Sequence, residues 1–327
     1  PVASVDYDDG AGQLCAFTAP DVYVDSSIPQ ECLDEGCGFP NNPFKTLART
    51  LEMINPTEDN PITIHLTAGT YSPETGDIFP LIMESNVNIE GEDEETTIID
   101  AMQTGRVITM DDCDNNTISG ITITGGLAEG DFPDYAGGGM RLSYSNPTLT
   151  HVTITGNTAG SNGGGMRLNS SHPTLTHVTI TGNTADYGGG MRLSSSNPTL
   201  THVTITGNTA DYAGGMYLYN DSNPILTNVN ISNNTASEYG GGMILYFSNP
   251  TLTNSIIWNN SPESILLYSD EEPIITYSDI EGGWEGEGNI DINPLFVDSD
   301  NGDYTLQENS PCIDSGNPNL WYEDLDG

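Results

Sequence analysis

Between residues 137 and 261 the chain repeats itself. Gly-Gly-Met, preceded by a third glycine or by alanine, recurs with its methionine at Met140, Met166, Met191, Met216 and Met243, in steps of 26, 25, 25 and 27 residues. The text between these marks is nearly constant: GGGMRLSYSNPTLTHVTITGNTA, GGGMRLNSSHPTLTHVTITGNTA and GGGMRLSSSNPTLTHVTITGNTA, then AGGMYLYNDSNPILTNVNISNNTA and GGGMILYFSNPTLTNSIIWNNS. A fixed period of this kind marks a repeat architecture, in which one unit cannot bury its own apolar face and neighbours must stack. Fainter turns precede it in NVNIEG (86–91), TTIIDA (96–101) and TISGITITGG (117–126).

Each unit is β. Val152-Thr153-Ile154-Thr155 and Met140-Arg141-Leu142 alternate with period two. Pro, Asn-Pro, Gly-Gly and Gly-Asn break every unit into short pieces. About 25 residues with three short strands is too little for a propeller blade, which takes roughly 40. It suits one coil of an all-β parallel β-helix, its coils stacked roughly 4.8 Å apart so that identical side chains lie over one another. Leu142, Leu168, Leu193, Leu218 and Leu245 then form an inward column beside the methionines. Val152, Val178, Val203 and Val229 form another, with Ile154, Ile180, Ile205, Ile231 and Ile257 next to it. Asn157, Asn183, Asn208, Asn234 and Asn260 recur at one turn, where amide side chains can hydrogen-bond up and down the stack.

The ends differ, as a solenoid requires. Phe44, Leu47, Leu51 and Ile54 fall at helical spacing in NPFKTLARTLEMIN, which predicts one amphipathic helix covering the open strand edges of the first coil. The expected organisation is an N-terminal segment with this capping helix over 1–60, the β-helix over 61–282, and a C-terminal cap or the start of a linker over 283–327.

With 47 Asp+Glu against 6 Lys+Arg the formal net charge is −41. That field repels nucleic acid and anionic lipid, so no nucleic-acid partner is expected. No apolar run approaches the ~20 residues of a membrane span, and no signal peptide opens the sequence, which reads as a mature, soluble segment without membrane insertion. Charged residues are only 16% and the apolar ones recur in register, which argues against disorder. Cys15, Cys32, Cys37, Cys113 and Cys312 have no zinc spacing. A local bridge such as Cys32 with Cys37 would suit an extracellular protein, and the odd count leaves one thiol unpaired or shared between chains.

The GGGM…NPTLT…TITGN units resemble the right-handed parallel β-helix repeats of the pectate-lyase-like superfamily, and are similar to secreted bacterial surface proteins and to polymorphic outer-membrane-protein repeats. VYVD (22–25), NPFKTLARTLE (42–52) and ITIHLTAGTYS (62–72) resemble the opening segment of such proteins, and NPLFVDSDNGDYTLQENSPCIDSGNP (293–318) their closing segment. The resemblance implies a right-handed coil and a secreted or bacterial cell-surface location. It is specific for fold and weak for activity.

Among candidate sites, Arg141, Arg167 and Arg192 share one outward repeat position, continued by Tyr217 and Ile244. They would bind carboxylates or stack on sugars; the plainer reading is charge relief on an acidic surface plus the copying of a duplicated coil. His151, His177 and His202 form a column continued by Asn228 and Asn254, a pattern of polar bend residues rather than of metal ligands. Thr122/Thr124, Thr153/Thr155, Thr179/Thr181 and Thr204/Thr206 make an outward array, spaced about 6.6 Å along the strand and about 4.8 Å between coils. Such a lattice resembles that of ice-binding solenoids, although Thr is also simply a good strand residue. Asp298, Asp300 and Asp303 in DSDNGD have part of the spacing of a Ca²⁺ loop without its terminal bidentate Glu, and Asp111, Asp112 and Asp114 form a second acidic cluster. Ca²⁺ is the one cofactor suggested.

The repeat is unbroken and acid-poor where a catalytic cleft would lie, which weighs against catalysis. The expected function is therefore a non-enzymatic extracellular or cell-surface rod that is structural or adhesive, self-assembling as a homo-oligomer or filament, or binding carbohydrate or another cell-surface ligand. The alternatives are a polysaccharide lyase or glycoside hydrolase, and ice binding through the Thr array.

Overall fold

The computed structural model describes residues 17, 19–32, 36–130 and 135–318, and at residue 300 the backbone. The expected parallel β-helix is what forms. A long sheet runs from Asp21–Val24 through Ile62–Leu66, Val87–Gly91, Thr117–Thr124, Thr148–Thr155 and Thr174–Thr181 to Ile274–Thr276. A second sheet, here called the methionine sheet, stacks eight strands from Leu81–Ile82 through Met140–Ser143, Met166–Asn169, Met191–Ser194, Met216–Tyr219 and Met243–Tyr246 to Ile265–Leu267. A short sheet joins Leu127–Ala128, Thr158–Ala159, Thr184–Tyr187, Thr209–Tyr212 and Thr235–Tyr239.

The register follows from repetition. Met140 lies opposite Met166, Met166 opposite Met191, Met191 opposite Met216 and Met216 opposite Met243. A shift by one residue would turn every Met and Leu outward, so the buried face fixes the alignment. The Met, Leu and Ile columns named above are all fully buried. Each such side chain contributes about 1.5–3 kcal/mol of transfer free energy, which is why the repeated coils can dispense with a conventional globular core.

Two polar ladders run inside this apolar tube. Asn157 donates its side-chain amide to Asn183 Oδ1, Asn183 to Asn208, Asn208 to Asn234 and Asn234 to Asn260, each at 3.0 Å. The second ladder consists of serines that the sequence reading assigned no role. The amide of Ser145 donates to Ser171 Oγ, Ser171 to Ser196, Ser196 to Ser222 and Ser222 to Ser248, each at 3.1 Å. Both ladders satisfy buried amides at corners where the sheets bend apart.

The passage from the short sheet to the methionine sheet is the Gly-Gly-Gly corner. Gly163 has φ +67, and a Cβ on Gly164 would lie 2.5 Å from Thr184 O and 2.6 Å from Gly189 O, so only glycine lets successive corners stack this closely.

At the N-terminal end, helix α1 (Leu47–Met53) lies against Leu81–Ile82 and Asp21–Val24. It is shorter than the apolar spacing suggests. Thr46 is extended and its Oγ1 accepts from Arg49 N, so the helix starts after it and Phe44 sits instead in an extended stretch bridged to Val24. Cys32 and Cys37 are bridged; Cys113 and Cys312 are free thiols, and Cys15 lies outside the described residues. At the other end Ile280 N donates to Ile290 O, Ser278 N donates to Asn289 Oδ1, and Trp284 packs on the core. The hairpin of Phe296–Asp298 and Asp303–Leu306 then folds back until Tyr304 touches Thr206 and Asn233. Among the described residues no helix is long and apolar enough to cross a membrane.

Candidate ligand-binding site

Strict alternation in the methionine sheet sends Met and Leu inward and the residue between them outward. The in-register outward column reads Thr109, Arg141, Arg167, Arg192, Tyr217, Ile244, Leu266. Two tyrosine ladders border it. On one side, across the glycine corner, the rings of Tyr187 and Tyr212 stack at 5.1 Å, with Tyr239 at 6.2 Å from Tyr212. On the other, Tyr219 and Tyr246 stack at 5.3 Å, with Tyr268 at 5.9 Å from Tyr246. Tyr187 meets Tyr217 edge-on at 5.6 Å, closing the strip over the middle of the column.

These borders change what the arginines are. Arg141 pairs with Asp111 at 2.9 Å. Arg192 lies over the rings of Tyr217 and Tyr219, 5.5 and 5.4 Å from their centroids, a cation–π arrangement on two sides. Burial and the flanking Arg192 and Arg141 push the Arg167 guanidinium down to about 9, which leaves it charged at neutral pH; burial lowers Arg192 as well. Arg167 donates to its neighbour's carbonyl, Leu168 O, and the buried Nε of Arg192 has no hydrogen-bond partner. Among the described residues neither Arg167 nor Arg192 has a carboxylate at ion-pair distance. They are thus not simply solvated surface charges. Ile244 faces outward yet is fully buried, and burial raises the pKa of Tyr217.

A fourth guanidinium, which the sequence reading missed because it precedes the repeat, closes this end. Arg106 Nε donates to Ala136 O and Gly137 O at 3.0 and 2.9 Å, and its Nη1 to Thr109 Oγ1. Four of the six Lys and Arg therefore cluster on one end of one face. Planar donors of this kind bind carboxylate or sulfate, and tyrosine rings stack on the apolar faces of sugars.

The remaining candidates fall elsewhere. His151, His177 and His202 occupy the bend of the long sheet with φ of 51–53°, their rings nearly parallel at 5.0 and 4.9 Å. Parallel rings do not converge on one metal ion, and Asn228 and Asn254 take the same conformation above them. In the Thr array, Thr122 Oγ1 donates to Glu94 O at 2.6 Å and Thr206 is buried at Tyr304, so both ends of the panel are occupied. Asp298 Oδ2 accepts from Asn301 and Asp303 Oδ1 from Thr305 N, while the side chain of Asp300 lies outside what is described. Among the described residues no three His, Cys, Asp or Glu gather as a metal site. Cys312 donates to Asp279 Oδ2 at 3.1 Å, and burial together with that carboxylate pushes its thiol up to about 12, which keeps it un-ionised and unreactive.

Solved structures of similar fold include pectate lyase Pel9A, with a TM-score of 0.58 at 12% identity over 94% of both chains. A pectin methylesterase in complex with a hexasaccharide gives 0.47 at 10% identity over 88% of this chain and 98% of that one. The carrot pectin methylesterase gives 0.46 at 10% identity over 78% and 90%. At such identities the likeness is one of fold. Comparison with curated proteins gives no match. The model of the right-handed β-helix region matches residues 84–211 and 185–310, more than two thirds of the chain, and the protein belongs to this right-handed β-helix family.

Proposed function

We propose that the protein is a non-catalytic extracellular β-helix that binds a carbohydrate chain laid along the outer face of the methionine sheet, and so acts as an adhesive rod. The observation that carries this reading is the Arg141–Arg167–Arg192–Tyr217 column bordered by two stacked tyrosine ladders. Repeats of roughly 4.8 Å offer successive sugars evenly spaced rungs. Aromatic rings are a low-entropy contact surface for sugars, and a rigid solenoid holds them in line without an ordering cost on binding. Affinity electrophoresis in gels containing neutral or acidic polysaccharides tests it. Retardation of the wild-type protein, reduced in Tyr246→Ala, is expected; mobility unchanged in every gel would overturn it.

The second reading is a polysaccharide lyase, the activity named for the neighbour Pel9A. Its support is Arg167, a guanidinium easier to deprotonate than most and thus a candidate proton acceptor. Against it, among the described residues no carboxylate lies at ion-pair distance from Arg167. Appearance of unsaturated-product absorbance on incubation with acidic polysaccharide between pH 7 and 10 would favour the lyase.

A further inference from the structure

The strip is not uniform along its length. Its first rungs carry Arg141, Arg167 and Arg192; the next carry Tyr217 with Tyr219, then Ile244 with Tyr246, then Leu266 with Tyr268. The two halves meet where Arg192 stacks on Tyr217 and Tyr219. We infer that the site takes a glycan whose character changes along the chain, with acidic substituents confined to the sugars on the arginine rungs and neutral sugars on the tyrosine rungs. This rests on the carbohydrate reading above and goes beyond it by naming the ligand class.

A wholly neutral chain does not fit the arginine half. Arg167 stands between two like charges, and neither it nor Arg192 has a carboxylate partner among the described residues, in a protein that has 47 acids to offer. Hydroxyl groups would leave those charges uncompensated in a half-buried setting, whereas a carboxylate or sulfate forms short charge-assisted bonds with a planar fork. A uniformly acidic chain does not fit the other half. No arginine or lysine follows Arg192 in the repeat, and Glu238, Glu263, Asp270, Glu271 and Glu272 lie in the sequence around those rungs. Each further carboxylate laid on Tyr246 or Tyr268 would lose water without gaining a partner, and would meet the field of a chain at −41. Neutral sugars, whose ring faces are apolar, suffer neither penalty and match the tyrosines exposed there, Tyr219 at 37% and Tyr268 at 45%.

Isothermal titration with four oligosaccharides of matched length tests this: a neutral xylohexaose, an oligogalacturonate, a xylo-oligosaccharide carrying glucuronic acid at one end, and a neutral-backbone oligosaccharide sulfated at one end. The one-end-acidic ligands are expected to bind about tenfold more tightly than either uniform ligand, the gain of one charge-assisted contact, and to weaken with added salt. Comparison of the last two ligands tells carboxylate from sulfate. Arg167→Gln should reduce both the preference for the one-end-acidic ligands and its salt dependence; Tyr246→Ala should weaken all four. If oligosaccharides bind but the uniformly acidic or neutral one equals the mixed ligands, this inference falls and the carbohydrate reading stands. If none binds, both fall.

Discussion

Asn183 donates its side-chain amide to Asn208 Oδ1 at 3.0 Å and to Ile154 O at 2.9 Å, while its own Oδ1 accepts from both the backbone and side-chain amides of Asn157. It is fully buried, so each of those partners depends on it. Asn183→Ala leaves donors on Asn157 and acceptors on Asn208 and Ile154 short of a partner inside the tube. The expected loss is about 2–4 kcal/mol, the cost of several unsatisfied buried groups, read as a lower midpoint in guanidinium denaturation. An unchanged midpoint would mean that water enters the turn.

Asp77 is fixed to the N-terminus of α1 by accepting from Ala48 N at 3.0 Å, while its buried Oδ2 has no partner. Desolvation pushes its carboxyl up to about 6 from 3.8. Because the folded value is raised, the folded protein favours the protonated acid, and stability present below pH 4 is lost as the pH rises toward 6. The size of that loss is on the order of 3 kcal/mol. Asp77→Asn keeps an acceptor for Ala48 and removes the ionisation. Melting curves should show the variant more stable than wild type at pH 7 and little different at pH 4. Equal gains at both values would point to packing rather than charge.

The long columns were legible because Leu142, Leu168 and Leu193 are the same letter at the same repeat position, and only in-register stacking buries them all. The Asn157–Asn260 ladder was legible from the same repetition, whereas the Cys32–Cys37 bridge was only one of the pairings that the cysteine positions allowed. Ser171 was not, because Ser before Asn-Pro or His-Pro reads as ordinary turn chemistry and its partner, Ser145 N, lies a full coil away. The state of Arg167 was hidden for a different reason. What surrounds it are Arg141 and Arg192 of the neighbouring coils and Tyr135, and alternation within its own strand says only that it faces outward. Thr206 was likewise invisible as a covered residue, since Tyr304 comes from a segment 98 residues further on.

His202 is held below its ordinary pKa by burial and then by the neighbouring His177 ring, stacked at 4.9 Å. With the folded value depressed, the unfolded chain takes up its proton first, so stability present above about pH 6.5 declines as the pH falls below that point. His202→Asn copies what the next coil carries at Asn228, in the same backbone conformation. The variant should match wild type at pH 8 and melt higher than it at pH 5. In an Asp77→Asn background, a melting temperature at pH 5 that His202→Asn leaves unchanged would contradict this account.

Arg167 should show stability and binding pulling in opposite directions. Its folded pKa lies below that of an unfolded arginine, so the charged form is disfavoured by folding at every pH below about 9, and the penalty is relieved only above it. Replacing a buried, incompletely paired charge by an apolar side chain of similar volume commonly raises stability by about 1–4 kcal/mol. Arg167→Met keeps the stem that covers the strip floor and removes the charge, so the lower end of that range, about 1–2 kcal/mol, is expected. The same variant should bind acidic oligosaccharide more weakly than wild type. A site maintained for a ligand trades stability for affinity in this way. If Arg167→Met instead melts lower than wild type with acidic-oligosaccharide affinity unchanged, the guanidinium serves the coil stack through Leu168 O and not a ligand.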